Sequence, residues 1–151
     1  MRIRSLTGAL TTAAVAATLA VVSAPGAEAA GSVHIVKIYY DSPGSDTRTN
    51  KSLNGEWVAI TNSTSKSVRL EGWTLTDASR HTYTFEAYTL RAGRTVKVRT
   101  GSGDDTVATK YQGRRAYVWN NDKDTATLRR ASGSKADSCS YNSTAKDYKI
   151  C

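Results

Sequence analysis

The chain has 151 residues, a net charge of +8, 39% hydrophobic residues and two cysteines. One domain fits that length, and a chain of this size buries a sizeable core without metal or many disulfides. The basic excess argues against an acidic, cation-collecting surface and for attraction to polyanions.

The first thirty residues read apart from the rest. Arg2 and Arg4 give a positive start, and Leu6 to Ser23 is almost entirely Ala, Val, Leu, Thr and Gly without charge. Pro25 and Gly26 break the run, and Ala27-Glu28-Ala29 places small residues where a signal peptidase reads them. A secretory signal over 1–30, cleaved near Ala29 or Ala30, is therefore expected. The alternative, an uncleaved anchor, has an apolar stretch barely long enough to span and rich in Ala and Thr. The expected product, 31–151, is one domain with a net charge of +7, secreted and without a membrane span.

Val33 to Tyr40 is β-branched and aromatic, with strong strand propensity. Asp41 to Asn54 is polar, contains Pro and Gly, and reads as a long mobile loop. Strand resumes over Gly55 to Asn62, followed by a turn at Ser63 to Ser67 and extended pieces at Val68 to Leu70 and Gly72 to Asp77. Ala78 to His81 turns again, with the Asp77 carboxylate placed to cap it. Thr82 to Phe85 and Tyr88 to Leu90 are short strands before a turn at Gly93. Arg94 to Thr100 alternates strictly: Val96 and Val98 share one face, and Thr95, Lys97 and Arg99 share the other. That period of two predicts an antiparallel strand with one wet face. Gly101 to Asp105 reads as a flexible turn. Ala116 to Trp119, Thr125 to Arg130 and Lys135 to Tyr141 complete a set of short strands. Turns every eight to twelve residues predict an all-β, immunoglobulin-like antiparallel β-sandwich, with a closed barrel as the alternative.

Cys139 and Cys151 are the only cysteines, lack CxxC spacing and have no adjacent His. In an oxidising compartment they predict a structural disulfide that pins Asn142 to Ile150, worth at most about 3 kcal/mol.

The ordered segments EWVAITN (Glu56 to Asn62), LEGWTL, TYTF with a following L-x-x-G-x-T-V-x-V, TGSG and VWNNDKDTATL resemble the lamin-tail domain over Val33 to Tyr141. The resemblance implies an immunoglobulin-like sandwich of the type found in nuclear lamins and in secreted bacterial proteins. It further implies a non-catalytic module, a docking platform for proteins and DNA in the lamins, and carries no catalytic residues across. Ala59 departs from the pattern, which usually has Glu in EWVEI.

Chemistry-bearing groups weigh against catalysis. His34 and His81 are the only histidines, and no G-x-S-x-G, HExxH or phosphate loop is present. Glu56 and Glu71, with His81, define the alternative of a small extracellular hydrolase or nuclease using cross-strand carboxylates. Asn120 to Asp124 resembles a calcium loop but has Thr125 where the pattern needs Gly and Ala131 where it needs Glu. It reads as a hairpin turn, as does the cluster at Asp104-Asp105, and no metal or cofactor is expected.

Trp73 shares parity with Leu75 and reads as core, whereas Trp57 is out of phase with Val58 and Ile60 and reads as outer face or sheet edge. Trp57, Lys97, Arg99, Arg114 and Arg115 are the candidate binding surface, since exposed aromatics are enriched in interfaces. The expected partner is an anionic envelope polymer or a protein. Any nucleic-acid binding would be non-specific and driven by the phosphate backbone. The residues do not fix the oligomeric state.

Overall fold

A computed structural model describes residues 31–151; the expected secretory signal at 1–30 and its cleavage point lie outside the described residues. The first strand, β1 (Val33–Tyr39), pairs antiparallel with β2 (Trp57–Asn62), which pairs in turn with β7 (Thr95–Arg99). β8 (Thr109–Tyr111) and β11 (Tyr148–Ile150) complete a five-stranded sheet in the order β11-β1-β2-β7-β8. A four-stranded sheet, ordered β10-β9-β4-β5, joins β4 (Thr74–Thr76), β5 (Thr82–Thr84), β9 (Lys123–Arg129) and β10 (Lys135–Asn142). A two-stranded ribbon pairs β3 (Val68–Arg69) with β6 (Thr89–Leu90). Every pairing is antiparallel except β7–β8.

Alternation decides which residues enter the core. Ile38, Val58, Ile60, Val96 and Val98 from the larger sheet meet Leu75, Ala126 and Leu128 from the smaller one in a single cluster, each no more than 1% exposed. Trp73, Phe85 and Trp119 extend it. This is the expected sandwich.

Three local expectations change. Asn50–Leu53 forms one helical turn, α1, inside the polar loop after β1. Thr49 caps it by accepting from the Ser52 N–H, and Leu53 is buried beneath it. The segment Gly101 to Asp105 is held in place, because Asn50 exchanges two hydrogen bonds with the Ser102 backbone and Asn54 donates a third. Gly103 passes so close to the Tyr111 ring that an added Cβ would lie 2.5 Å from it. Ala116 to Trp119 is not a strand. Its backbone N–H groups at Val118 and Trp119 find a carboxylate, that of Glu56, in place of a ladder partner.

The C-terminal tail is more ordered than its composition predicts. β11 pairs with β1, Tyr40 stacks on Tyr141 at 3.9 Å, and the Tyr40 hydroxyl donates to the carbonyls of Ser143 and Lys146. Cys139 on β10 and Cys151 are joined in a disulfide, Cα to Cα 5.9 Å, so the edge strands of both sheets are tied together. Among the described residues no helix is long and apolar enough to cross a membrane.

Candidate functional site: a basic, aromatic sheet face

The two outer faces of the sandwich differ in chemistry. On the four-stranded sheet, Ser138, Thr127, Thr76 and Thr82 form one uncharged row of hydroxyls across all four strands, and the next row of the same face carries Arg129 opposite Lys135 but no aromatic ring. The strands of the five-stranded sheet contain no Asp or Glu; they carry Lys37, Lys97 and Arg99 on the outer face, and Lys110 and Lys149 opposite the core-facing Val98 and Ile38.

Register builds the second face into two adjacent rows. Tyr148, Tyr39, Trp57, Arg99 and Tyr111 are successive cross-strand partners from one edge of the sheet to the other. Beside them run Ile150, Lys37, Ala59, Lys97 and Thr109. Because β2 is the middle strand, Trp57 lies midway across the sheet and not on an edge strand, in the row that closes one end of the face.

The aromatic row is a stack. Tyr39 lies 5.5 Å from Trp57 and 6.0 Å from Tyr148, with interplanar angles of 21° and 22°. Cations close it. The Lys97 ammonium sits 4.3 Å from the Trp57 ring centre, and the Lys37 ammonium sits 3.9 Å from Tyr148 and 5.5 Å from both Tyr39 and Trp57. Lys146 approaches Tyr148 at 5.7 Å. Each such contact is worth about 0.5–1 kcal/mol at an exposed site and more when water is excluded.

The expected surface residues therefore separate. Trp57 and Lys97 are in direct contact, with Arg99 next in the row. The Arg99 guanidinium, however, donates to the Asn54 carbonyl at the end of α1. Arg114 reaches the Thr82 carbonyl on β5, the edge strand of the smaller sheet, and Arg115 is exposed in the same segment. Arg91 and Arg94 border an open groove of about 730 Å³ with Tyr88 and Val107, below the far end of β7. Lys37 and Tyr39 escaped notice although they alternate within one strand. Tyr148 and Lys146 had no readable signal, because their position depends on the tail pairing with β1.

The groups of the hydrolase alternative are dispersed. Glu56 is fully buried, accepting from the N–H groups of Val118 at 3.1 Å and Trp119 at 3.2 Å. Burial pushes its carboxyl up to about 8, against the backbone hydrogen bonds that lower it. Glu71 pairs with Arg69 on the surface. His81 is held by Asp77 at the β4–β5 turn, where the other Asp77 oxygen accepts the His81 N–H at 2.6 Å. His34 contacts Ser32. The loop at Asn120 to Asp124 is organised by backbone donors: Asp124 accepts from Ala78, Asn120 and Thr125, and Asp122 from Lys123. That is turn chemistry, with the carboxylates turned to N–H groups.

Comparison with known proteins agrees with this architecture. The family model described as Lamin Tail Domain matches residues 26–143, and no curated protein matches the chain. The family is one of non-enzymatic, immunoglobulin-like domains. The chain belongs to the lamin tail domain family.

Proposed function

We propose that this protein is a secreted, non-catalytic binding module that docks on polyanionic material of the cell envelope through the outer face of its five-stranded sheet. The observation that carries the reading is the continuity of the aromatic stack with Lys37 and Lys97 on a sheet whose strands hold no acidic residue. Cations fixed on aromatic rings lose less side-chain freedom on binding than solvated ones do, which favours a partner of opposite charge. Export is supported by the expected signal over 1–30 and by a disulfide, a bond that persists in oxidising compartments. A non-catalytic role is supported by the separate commitments of Glu56, Glu71 and His81.

The test is sedimentation of the exported, processed protein with isolated cell walls and with soluble polyanions across a salt series. Affinity is expected to fall linearly on a log–log plot as counterions are released. Absent or salt-insensitive binding overturns the reading.

A further inference from the structure

Ala59 lies directly between two lysines. Its cross-strand partners are Lys37 on β1 and Lys97 on β7; all three side chains have the parity of the outer face because Val58 and Ile60 enter the core, and Ala59 itself is only 4% exposed. Both ammoniums rest on Trp57, at 5.5 and 4.3 Å from its ring centre, which places them within about 10 Å of each other. Neither forms an ion pair among the described residues, whereas Lys110 at the sheet edge pairs with Asp105 at 3.3 Å. Two cations thus flank a residue that offers them only a methyl group.

We infer that Lys37 and Lys97, bridging Ala59, form a seat for a phosphate group of a phosphodiester-linked polymer. This rests on the docking reading above and narrows it to one position and one ligand chemistry.

The arrangement favours the phosphodiester over a base or a neutral sugar. Tyr39 stacks between Trp57 and Tyr148, and ammoniums lie over Trp57 and Tyr39, so the rings are already engaged with one another and with cations. An ammonium is a compact charge with three donors, suited to a single oxyanion and indifferent to the remainder of the repeat unit. The flanking rings hold the two charges at a fixed separation that a flexible phosphodiester chain can meet.

The experiment compares the exported, processed protein with its A59E, A59Q and K37Q/K97Q variants, titrated with poly(glycerol phosphate). A polyuronate and phosphatidylglycerol vesicles serve as the other anion sources. Ala59→Glu supplies the carboxylate in cis, and Ala59→Gln adds the same bulk without charge. The inference expects A59E and K37Q/K97Q to bind poly(glycerol phosphate) at least about tenfold more weakly, with A59Q within about threefold of the parent. It also expects the log–log salt slope of K37Q/K97Q to shrink by between one and two. Thermal unfolding of each variant confirms that the fold is intact; K37Q/K97Q carries the test if the bulk at residue 59 is not accommodated. If the parent binds and both A59E and K37Q/K97Q match it, the seat is wrong while envelope docking stands. If the polyuronate or the vesicles bind and poly(glycerol phosphate) does not, the phosphodiester assignment is overturned. If the parent binds none of the three, both readings fall.

Discussion

Glu56 and Trp119 are joined across 63 residues of sequence: a carboxylate oxygen at the start of the middle strand accepts the Trp119 N–H at 3.2 Å. The other oxygen takes the Val118 N–H. One side chain therefore replaces a strand partner for a segment that has none. Its position also explains why Val118 and Trp119 can be buried without belonging to a sheet.

Replacing Glu56 by Ala leaves two buried N–H groups without acceptors and is expected to cost about 2–4 kcal/mol. Glu56→Gln keeps one oxygen acceptor and resembles the protonated carboxyl that burial favours, so it should cost less than Glu56→Ala, about 1 kcal/mol. Urea unfolding followed by Trp fluorescence measures both. An E56A protein as stable as the parent would show that the carboxylate is dispensable.

The same residue sets a pH dependence. Burial raises the Glu56 carboxyl from its ordinary 4.5 to about 8, so the folded protein holds the proton more tightly than the unfolded chain. The associated stability is complete below pH 4.5 and is lost as pH rises through about 8. The thermal midpoint should decline from pH 5 to 8 and level off above, and E56Q should flatten that slope.

Cys139→Ser with Cys151→Ser is expected to lower stability by about 2–3 kcal/mol, the closed loop being short. The loss should concentrate at one edge. Amide exchange of β11 is expected to accelerate more than that of β2 or β9, because β11 pairs with a single neighbour, β1. Uniform acceleration across the sheets would contradict this.

Trp57 and Lys97 should be energetically coupled. A double-mutant cycle with W57L and K97M is expected to give a coupling of about 0.5–1 kcal/mol, measured by chemical unfolding. Additive effects would mean that the 4.3 Å contact contributes nothing.

Arg80 holds a φ of 72° in the β4–β5 turn, where Asp77 binds the His81 N–H. That conformation is costly for a residue with a Cβ. Arg80→Gly is expected to change stability by less than about 1 kcal/mol in either direction, relief of strain opposing the added freedom of the unfolded chain. Asp77→Ala, which removes the acceptor that organises the turn, should cost about 1–2 kcal/mol. Thermal unfolding distinguishes them.

The strands with strict alternation were legible because burial obeys the same period. Val96 and Val98 went inward, and Lys97 stayed out, as their spacing required. Trp57 was legible as an outward residue for that reason, but its place on the middle strand of the sheet was not, since strand order is a tertiary property. The helical turn at Asn50–Leu53 was hidden in a polar stretch, where a Thr cap and one apolar residue suffice to form it. Ala116 to Trp119 reads as strand by composition, and only the distant Glu56 satisfies it otherwise. Tyr148 joins the aromatic stack through backbone pairing that no local pattern announces.

The disulfide gives the aromatic stack a dependence on its surroundings. Tyr148 is the outermost ring, and it sits on a three-residue strand whose far side is fastened by Cys151. Reduction leaves that strand held by pairing to β1, by the Tyr39 and Lys37 contacts of Tyr148 and by the Tyr40 hydroxyl, whereas the disulfide also fastens it to the opposite sheet. The rim of the face is thus braced by a redox-sensitive bond, one that persists in oxidising surroundings.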